Sequence, residues 1–467
     1  MAAKRENWGS HIGFVFAAAG SAIGLGNIWK FPYLAGKNGG AAFILIYLIS
    51  VFFIGLSLMI AEILIGRKSQ LNPVGTYRTL SGGNRKWTFV GYLGVFTGFI
   101  ILSYYNVVAG WSVGYFIEGL RGRIVSFTSS KQATTFFNQC VMNPAWIIGY
   151  QAIFSLFTMA VVYFGVIQGI EKISKILMPI FIAILLALVI WGISLEGSEE
   201  GLSFLLKPKW SNVSGRTILE ALGQAFFSLS IGMGALLTYG SYLGPKNSIL
   251  KSSLMIVILD TLVALLAGIA IFTSVFAMGF SPDAGTGLVF SVLPAVFSKM
   301  PGGNIVALLF FAFLTIASLT SAISLLEVIT AYFVDEKKYS RHKVVVIAGL
   351  IVFLVGIPSA LSFGSLSHVT LLKRSIFDFF DFISSNVLLP IGGLFMALFV
   401  GWVVKKTPML EEFRKGAQGW VDAHVIYGKK RKEKQAILTL GNVWFFVVKY
   451  IAPVIILLVF LYSIGIL

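Results

Sequence analysis

The sequence predicts an all-α integral membrane protein. Of its 467 residues, 57% are hydrophobic and only 12% are charged, whereas a soluble globular protein carries about 25% charged residues. Because so few charges cannot cover a water-facing surface, most of the surface must face lipid. The apolar runs are continuous rather than alternating, which favours transmembrane helices over a transmembrane β-barrel.

Eleven apolar runs approach the roughly 20 residues that a membrane-spanning helix needs. We number these predicted spans 1 to 11, and they cover residues 11–34, 41–65, 89–119, 146–166, 174–195, 217–242, 253–279, 304–333, 343–362, 376–403 and 446–466. The whole chain, 1–467, is therefore predicted to form a single transmembrane domain.

The loops carry their positive charges unevenly. If the N-terminus is cytoplasmic, the loops on that side hold most of the cations, namely Lys4, Arg5, Arg67, Lys68, Arg78, Arg85, Lys86, Lys337, Lys338, Arg341, Lys343, Lys429, Lys430, Arg431, Lys432 and Lys434. Cytoplasmic loops are enriched in lysine and arginine. We therefore expect a multi-pass protein of the cell (plasma or inner) membrane. Its N-terminus would be cytoplasmic and, after eleven crossings, its C-terminus would lie outside. This distribution explains the net charge of +17 without nucleic acid as a partner.

Two matched glycine motifs interrupt spans 1 and 6, at Ile23–Gly26 and Ile231–Gly234. They predict two five-helix repeats, spans 1–5 over about 8–195 and spans 6–10 over about 217–403, with span 11 at about 446–466 outside them. Since five is odd, the second repeat must be inverted in the membrane. Paired interrupted helices in inverted repeats indicate a transporter site near the bilayer midplane; the alternative is that these glycines only allow close helix packing.

The residues beside the two breaks suit a small zwitterion and a cation. Freed N–H groups at the start of a half-helix bind a carboxylate well, and hard cations prefer oxygen ligands. Asn27, Ser228 and Ser230 supply such oxygens next to the breaks. An amino acid together with sodium fits this inventory.

Carboxylates within the apolar runs are further candidates, because charges inside a membrane are costly and usually functional. Asp260 is interpreted as ion-related, whereas Glu62 is equally well explained as an anchor for broken backbone. Single Cys140 excludes an internal disulfide framework. The sequence contains no catalytic constellation and no phosphate-binding loop, so an enzyme is not expected.

The segment Gly20–Pro32 (GSAIGLGNIWKFP) closely resembles helix 1 of the neurotransmitter:sodium symporter family. Asn38–Gly40, Gly169–Glu171 and Gln224–Ser230 are similar to other motifs of that family, and the chain resembles its bacterial eleven-helix amino-acid transporter branch. The resemblance implies a sodium-coupled symporter that imports hydrophobic or aromatic L-amino acids by alternating access.

The resemblance also implies roles for individual residues. Two sodium sites are expected: the first from Ala22, Asn27, Ser228, Asp260 and the substrate carboxylate, the second from Gly20, Ile23, Ala317, Thr320 and Ser321. Substrate is expected to contact Ala22, Leu25, Gly26, Ile101, Tyr105, Phe227, Ser228, Ser230, Met233, Ser321 and Leu325. The outer gate would consist of Lys30 and Asp381, and the inner gate of Arg5, Trp8, Tyr242 and Asp335.

Three positions bear on specificity. Lys30 stands where the family usually has arginine, and lacks the planar fork of a guanidinium. Asp260 supplies a fixed negative charge near Tyr47 and Gln224, where chloride-dependent relatives use an anion, so chloride is not expected to be required. Met233 replaces a bulkier aromatic residue of a leucine-transporting relative, and a flexible methionine accommodates rings, which favours Tyr, Trp, Phe or Leu as substrate.

Four alternatives remain open at this level. They are a sodium symporter of small neutral amino acids, an ion channel, a non-transporting amino-acid sensor, and proton coupling through Glu62 or Asp260. The paired gates speak against the channel, and the absence of a long cytoplasmic segment speaks against the sensor.

Overall fold

Long apolar helices make up most of the protein. The structure is a computed structural model that describes residues 6–124, 126–127, 129–280, 288–430 and 433–467. Within these residues, nine helices are long and apolar enough to cross a membrane: Ala41–Ser69, Arg85–Leu120, Pro144–Tyr163, Val166–Ile193, Ile249–Ala277, Gly303–Lys337, Arg341–Leu361, Ile376–Val403 and Leu440–Ser463. They correspond to predicted spans 2–5 and 7–11, and the expectation of an all-α membrane fold is confirmed.

Spans 1 and 6 are each divided into two helices. Span 1 consists of His11–Ala22 and Gly26–Lys37, which meet at an angle of 50°. Span 6 consists of Gly215–Ser228 and Ala235–Ser241, whose lengths together correspond to roughly 30 Å of helix, about the thickness of a bilayer core. The bent pair of span 1 raises the number of possible crossings in the described residues to ten, and neither half of span 6 is long enough to cross alone.

The spans differ in how much of their surface faces other helices. The most apolar stretch of span 3 is 72% buried within the protein, and that of span 8 is 61% buried. The corresponding values are only 33% for span 5 and 39% for span 11. Span 3 packs along span 8, and span 8 contacts the first half of span 1. Spans 3 and 8 therefore form the interior framework around the two broken helices, while spans 5 and 11 face lipid.

Shorter elements connect the spans outside the apolar layer. The helices among them are Pro73–Leu80, Ser130–Met142, Ser198–Leu206, Leu293–Lys299, Lys406–Arg414 and Gln418–Val421, with single turns at Arg85–Trp87 and Trp210–Asn212. Two antiparallel hairpins pair Thr370–Leu371 with Arg374–Ser375, and His424–Lys430 with Glu433–Thr439.

The region before span 11 departs from the sequence prediction. Residues 404–440, a basic segment between predicted spans 10 and 11, contain two of these helices and one of the hairpins. Span 11 begins at Leu440 rather than near residue 446. The physical reason is tertiary packing. Phe413 contacts Trp420 and Trp444 through two tilted ring pairs, which orders a segment that has no long apolar run of its own.

Candidate functional site

Span 1 is interrupted at the first glycine motif. Its first half, His11–Ala22, ends where Ile23 adopts an extended backbone with φ −71° and ψ 115°. Helical geometry resumes in Gly26–Lys37, and the N–H of Asn27 donates to the carbonyl of Gly24 at 3.1 Å. The last carbonyls of the first half and the first N–H groups of the second half are thereby removed from the regular helical hydrogen-bond pattern.

Span 6 is interrupted at the second glycine motif. After Gly215–Ser228 the backbone takes positive φ angles at Ser230 (55°), Gly232 (93°) and Gly234 (78°) before Ala235–Ser241 begins. Glycine adopts this region without the steric penalty that a Cβ brings. The glycines of the second motif therefore allow the backbone to leave the helical conformation, and they do more than allow close helix packing.

A buried carboxylate lies beside the break in span 6. Glu62, on span 2, is 1% exposed and accepts the N–H of Gly232 at 3.4 Å. On the other side, a Cβ at position 232 would lie 2.7 Å from the N of Gly393 and the carbonyl oxygen of Leu389. Of the two readings of Glu62, this geometry favours an anchor for broken backbone.

A first cluster of polar side chains joins span 1 to spans 6 and 7. Asn27 donates through Nδ2 to Oδ1 of Asp260 at 2.8 Å and to Oγ of Ser228 at 3.2 Å. Ser228 donates to Oδ2 of Asp260 at 2.8 Å, and Tyr47 donates to Ser228 at 3.3 Å. Asn27 and Asp260 are fully buried. Ala22, the remaining residue assigned to the first sodium site by the resemblance, ends the adjoining half-helix.

A second cluster joins the first half of span 1 to span 8. Ser321 donates through Oγ to the carbonyl of Ile23 at 2.9 Å and to that of Gly20 at 3.2 Å. Thr320 donates to the carbonyl of Ala317 at 3.0 Å. A Cβ at position 20 would lie 2.8 Å from the Cβ of Thr320, so glycine is needed for this approach. The five residues assigned to the second sodium site thus lie on two elements in direct contact.

Two further hydroxyl contacts hold the first half of span 1 to spans 8 and 6, and neither pairing was predicted from the sequence. Ser21 donates to Ser324 at 2.7 Å, and Ser230 donates to the carbonyl of Ser21 at 3.0 Å. The signal available in the sequence was the recurrence of hydroxyls along one face of span 8, at Thr320, Ser321 and Ser324.

The oxygen atoms at the breaks fit an alkali cation and a carboxylate. Carbonyl, hydroxyl, amide and carboxylate oxygens are the ligands that hard cations take. Tyr105 Oη is buried and has no hydrogen-bond partner among the described residues. A Cβ at position 24 would lie 3.0 Å from this Oη and 2.6 Å from Oγ of Ser321, so spans 1, 3 and 8 meet here. An unsatisfied hydroxyl beside freed N–H groups is suited to an anionic group of a ligand.

One face of span 3 lines the region between the breaks, with Gly94, Gly98, Ile101 and Tyr105 at helical spacing. A Cβ at position 94 would lie 3.3 Å from the carbonyl of Met233, and one at position 98 would lie 3.8 Å from the side chain of Leu325. Ile101, Tyr105, Met233 and Leu325 are all buried. The side chains assigned to the substrate pocket therefore share one apolar neighbourhood.

On one side of the breaks, the outer gate residues line a shared cavity. Lys30, Phe227, Tyr104 and Asp381 contribute to a cavity of about 290 Å³. The ammonium of Lys30 lies 4.0 Å from the ring centroid of Phe227, and Asp381 accepts hydrogen bonds from Tyr104 and Ser385, each at 3.0 Å. No salt bridge joins Lys30 to Asp381 in the described part of the chain. The lysine is positioned by an aromatic ring rather than by the carboxylate.

Glu220 joins the two broken helices on the same side of the breaks as Lys30 and was missed in the sequence. It accepts hydrogen bonds from Lys37 at 3.0 Å, Asn38 at 2.7 Å and Arg216 at 2.9 Å, and from Tyr462 at 3.3 Å. The second half of span 1, the first half of span 6 and the end of span 11 thus meet at one carboxylate. Arg216 is a local i,i+4 partner on the same helix, whereas Lys37, Asn38 and Tyr462 come from two distant parts of the chain, which no local pattern indicates.

On the opposite side, the predicted inner gate is partly described. Arg5 lies outside the described residues. The N–H of Trp8 donates to the carbonyl of Tyr242 at 3.1 Å, which ties the N-terminal segment to the second half of span 6. Asp335 accepts the N–H of Asn72 at 3.1 Å.

A buried ion pair next to this gate was not predicted. Tyr242 donates to Oε1 of Glu327 at 2.7 Å, and Glu327 is paired with Arg341. Arg341 also donates to the carbonyl of Val162 at 2.9 Å. The available signal was Glu327 itself, an acidic residue inside the apolar run of span 8.

Two membrane helices broken within their apolar runs, with clusters of oxygen atoms beside the breaks, are typical of secondary transporters. The chain matches the Sodium:neurotransmitter symporter family over residues 5–146 and 142–465. It belongs to this family, and it is a sodium-dependent transporter rather than an enzyme.

Individual proteins are similar over nearly their whole length. The chain is 41% identical over 466 residues to the sodium-dependent transporter YhdH of Bacillus subtilis, with 99% of each chain covered. It is 34% identical over 467 residues to a sodium-dependent transporter of Haemophilus influenzae, with 98% of each covered. Among solved structures, the crystal structure of MhsT in complex with L-phenylalanine matches with 42% identity and a TM-score of 0.87, covering 98% of this chain and 100% of that one.

Proposed function

We propose that this protein is a sodium-coupled symporter that imports hydrophobic or aromatic L-amino acids by alternating access. The observation that carries the proposal is the pair of oxygen clusters, each of which joins the break in span 1 to a different neighbouring span. One contains Asn27, Ser228 and Asp260, and the other contains the Ser321 hydroxyl and the carbonyls of Gly20 and Ile23. The sodium-dependent relatives and the L-phenylalanine bound to MhsT support it.

The first sodium couples directly to the amino acid. Its ligands are the carbonyl of Ala22, the oxygens of Asn27, Ser228 and Asp260, and the substrate carboxylate. That carboxylate also accepts hydrogen bonds from the N–H groups of Leu25 and Gly26 and from Tyr105. Because the substrate completes the coordination shell of the ion, each increases the affinity of the other by the same factor.

The amino group of the substrate lies against backbone carbonyls. Those of Ala22, Phe227 and Ser228 accept its N–H groups, with the hydroxyl of Ser230 nearby. Ser230 has φ 55° and donates to the carbonyl of Ser21, which fixes the backbone on which this half of the site is built. Carbonyls left free at a helix break suit an ammonium group as they suit a metal cation.

The second sodium links ion binding to conformation. In the described structure the hydroxyl of Ser321 already contacts the carbonyls of Gly20 and Ile23, and a cation held by these atoms with Ala317 and Thr320 would fasten span 1 to span 8. A ligand shifts a conformational equilibrium only by its difference in affinity between the states. We therefore assign this ion the role of stabilising the state in which spans 1 and 8 are in contact.

The two gates open alternately around the site. The outer gate consists of Lys30 and Asp381 with Phe227 as a lid, and the inner gate of Arg5, Trp8, Tyr242 and Asp335. We assign the region of 8–195 and that of 217–403 to inverted repeats, with the N-terminus in the cytoplasm and the C-terminus outside. Rocking of one repeat against the other then exposes the site to each side in turn.

Chloride is not required, since Asp260 provides the negative charge next to the first sodium. Its carboxylate is fully buried and close to Asn27 and Ser228. A fixed charge within the cluster removes the need for a diffusible anion near Tyr47 and Gln224.

The substrate side chain lies among Ile101, Tyr105, Phe227, Met233 and Leu325, with Ser321 at one edge. Met233 is unbranched, so its side chain can adapt to rings of different size. The ligand bound to MhsT is an aromatic amino acid.

Reconstitution in lipid vesicles tests the proposal. Uptake of labelled Trp, Tyr, Phe, Leu, Ala and Gly is measured with an inward sodium gradient, at fixed pH, and with sodium or chloride replaced in turn. We expect accumulation of Trp, Tyr, Phe and Leu that requires sodium and not chloride. Tight sodium-dependent binding of Ala or Gly without binding of Trp or Tyr contradicts the substrate class, and current without accumulation indicates a channel.

A single substitution tests the role of Met233. Met233→Phe introduces a bulkier ring into the pocket, and overpacking of a filled space costs about 1–3 kcal/mol. The half-saturating concentration of Trp is expected to rise about tenfold or more, while that of Leu stays within about threefold. Met255→Phe, on the lipid-exposed side of span 7, is the matched control and should change neither.

A further inference from the structure

A groove lies where spans 10 and 11 meet the basic segment 404–440. It has a volume of about 640 Å³, and the side chains that matter to its chemistry are Lys406, Asn442, Phe445, Phe446, Lys449 and Tyr450. Its lining contains no acidic residue. The groove combines two cations, an amide and three aromatic rings, and it shares no residue with the gates or with the two oxygen clusters.

The two ammonium groups are available to an anion. In the described part of the chain, neither lysine forms a salt bridge. Lys449 Nζ lies 4.4 Å from the ring centroid of Trp402 and 5.3 Å from that of Tyr450, and Lys406 Nζ lies 5.7 Å from that of Phe445. Cation–π contacts orient an ammonium group without neutralising it, so the positive charge of the groove is uncompensated.

The walls that carry the two lysines are held in place. Lys406 begins the helix Lys406–Arg414, and Glu412 on this helix is paired with buried Arg67 at 2.7 Å. On the other wall, span 10 packs tightly on span 11, since a Cβ at position 401 would lie 2.7 Å from the Cα of Lys449. The separation of the two lysine backbones is therefore set by the fold before a ligand binds.

An exposed apolar face leads away from the groove along span 11. Phe446, Tyr450, Val454 and Leu457 recur at helical spacing and are 52%, 45%, 59% and 43% exposed. A free phosphate would use only the lysines, whereas a phospholipid would use the lysines through its phosphate and this face through an acyl chain.

A short, strongly basic stretch precedes span 11 in the sequence. Residues 429–434 contain five lysine or arginine residues and one glutamate. Basic segments at the membrane surface attract anionic lipids, with about 1 kcal/mol contributed by each lysine or arginine near the surface.

We propose that this groove binds an anionic phospholipid of the adjacent leaflet, with its phosphate between Lys406 and Lys449 and an acyl chain along the exposed face of span 11. A zwitterionic phospholipid carries its own ammonium group and is bound less tightly. Removal of each lysine charge lowers the affinity about fivefold, and removal of both lowers it about 25-fold.

Native mass spectrometry of the purified full-length transporter tests the proposal. The protein is titrated with palmitoyl-oleoyl phosphatidylglycerol, with the phosphatidylcholine that has the same acyl chains, and with inorganic phosphate. The variants are Lys406→Gln with Lys449→Gln, the charge-preserving pair Lys406→Arg with Lys449→Arg, and Lys405→Gln, which removes an exposed charge just outside the lining. Retained thermal stability shows that each variant is folded.

We expect the first bound molecule of phosphatidylglycerol to bind about tenfold more tightly than the first bound molecule of phosphatidylcholine. The double glutamine variant should lose this preference, and the arginine and Lys405 variants should keep it. Equal binding of the two lipids, or an unchanged preference in the double glutamine variant, overturns the proposal. Displacement of the lipid by inorganic phosphate at comparable concentration also overturns it, because the site would then be selective for phosphate alone.

Discussion

Replacement of Asp260 by asparagine removes a negative charge from the first oxygen cluster at almost constant volume. The carboxylate is fully buried and accepts two hydrogen bonds of 2.8 Å, from Asn27 and Ser228. Asparagine offers one acceptor oxygen, so one of the two donors loses its partner. A hydrogen bond to a charged group contributes about 1.5–3 kcal/mol, which corresponds to an increase of about 10- to 150-fold in the sodium concentration needed for half-saturation.

The assay is equilibrium binding of labelled L-phenylalanine to purified protein, titrated with sodium chloride or with sodium gluconate. The wild-type protein is expected to give the same curve with either anion. In gluconate, Asp260→Asn should raise the sodium concentration needed for half-maximal binding by about 10- to 150-fold. Chloride should restore part of the lost sodium affinity by supplying the missing negative charge. Asp422→Asn, in the segment before span 11, is the matched control and should not shift the curve.

Two outcomes would refute this reasoning. If wild-type binding falls when chloride is replaced, the fixed charge of Asp260 does not substitute for an anion. If Asp260→Asn retains wild-type sodium affinity in gluconate, its carboxylate is not part of the ion site. A loss that chloride does not relieve would leave the charge assignment intact and show that the geometry of the site has no room for an anion.

Three further substitutions test other parts of the site. Gly24→Ala places a Cβ 2.6 Å from Oγ of Ser321, so sodium-dependent substrate binding should weaken tenfold or more in an equilibrium assay. Glu220→Gln weakens the charged link between the outer ends of spans 1 and 6, and bound substrate should dissociate about fivefold faster in a washout experiment. Glu412→Ala leaves buried Arg67 without its carboxylate, which should destabilise the protein by about 3–5 kcal/mol and lower its Tm.

Each of these changes has a matched control of the same chemistry at an exposed position. Glu199→Gln should not alter substrate dissociation, and Glu411→Ala should not alter Tm. Gly149→Ala, at an exposed helical position where a Cβ would meet no atom within 4 Å, should not alter substrate binding. A variant that behaves like its control contradicts the contact on which its prediction rests.

The local features of the site were predictable from sequence because they depend on short-range physics. A run of about 20 apolar residues specifies a membrane span, and Gly24, Gly26, Gly232 and Gly234 mark the two breaks. The oxygens of Asn27 and Ser228 lie within a few residues of those breaks, so their involvement required no knowledge of packing.

The contacts between distant spans were less accessible to sequence reasoning. Asn27 and Asp260 are separated by 233 positions and meet at 2.8 Å, and only the family resemblance brought them together in advance. Glu220 and Glu327 were missed because most of their partners come from other spans, namely Lys37, Asn38 and Tyr462 for Glu220 and Tyr242 and Arg341 for Glu327. Lys30 was paired with Asp381 as a gate, whereas its ammonium lies over the ring of Phe227.

The sequence by itself determined that this chain is a membrane protein. It also determined the positions at which two of its helices break and the kinds of atoms that surround those breaks. These properties follow from composition and from backbone freedom at particular glycines. The tertiary structure decided which carboxylate each cation or amide faces and how residues 404–440 fold, with Glu412 paired to Arg67. In a low-dielectric interior these choices depend on distances of a few ångströms between spans, and no local pattern encodes such distances.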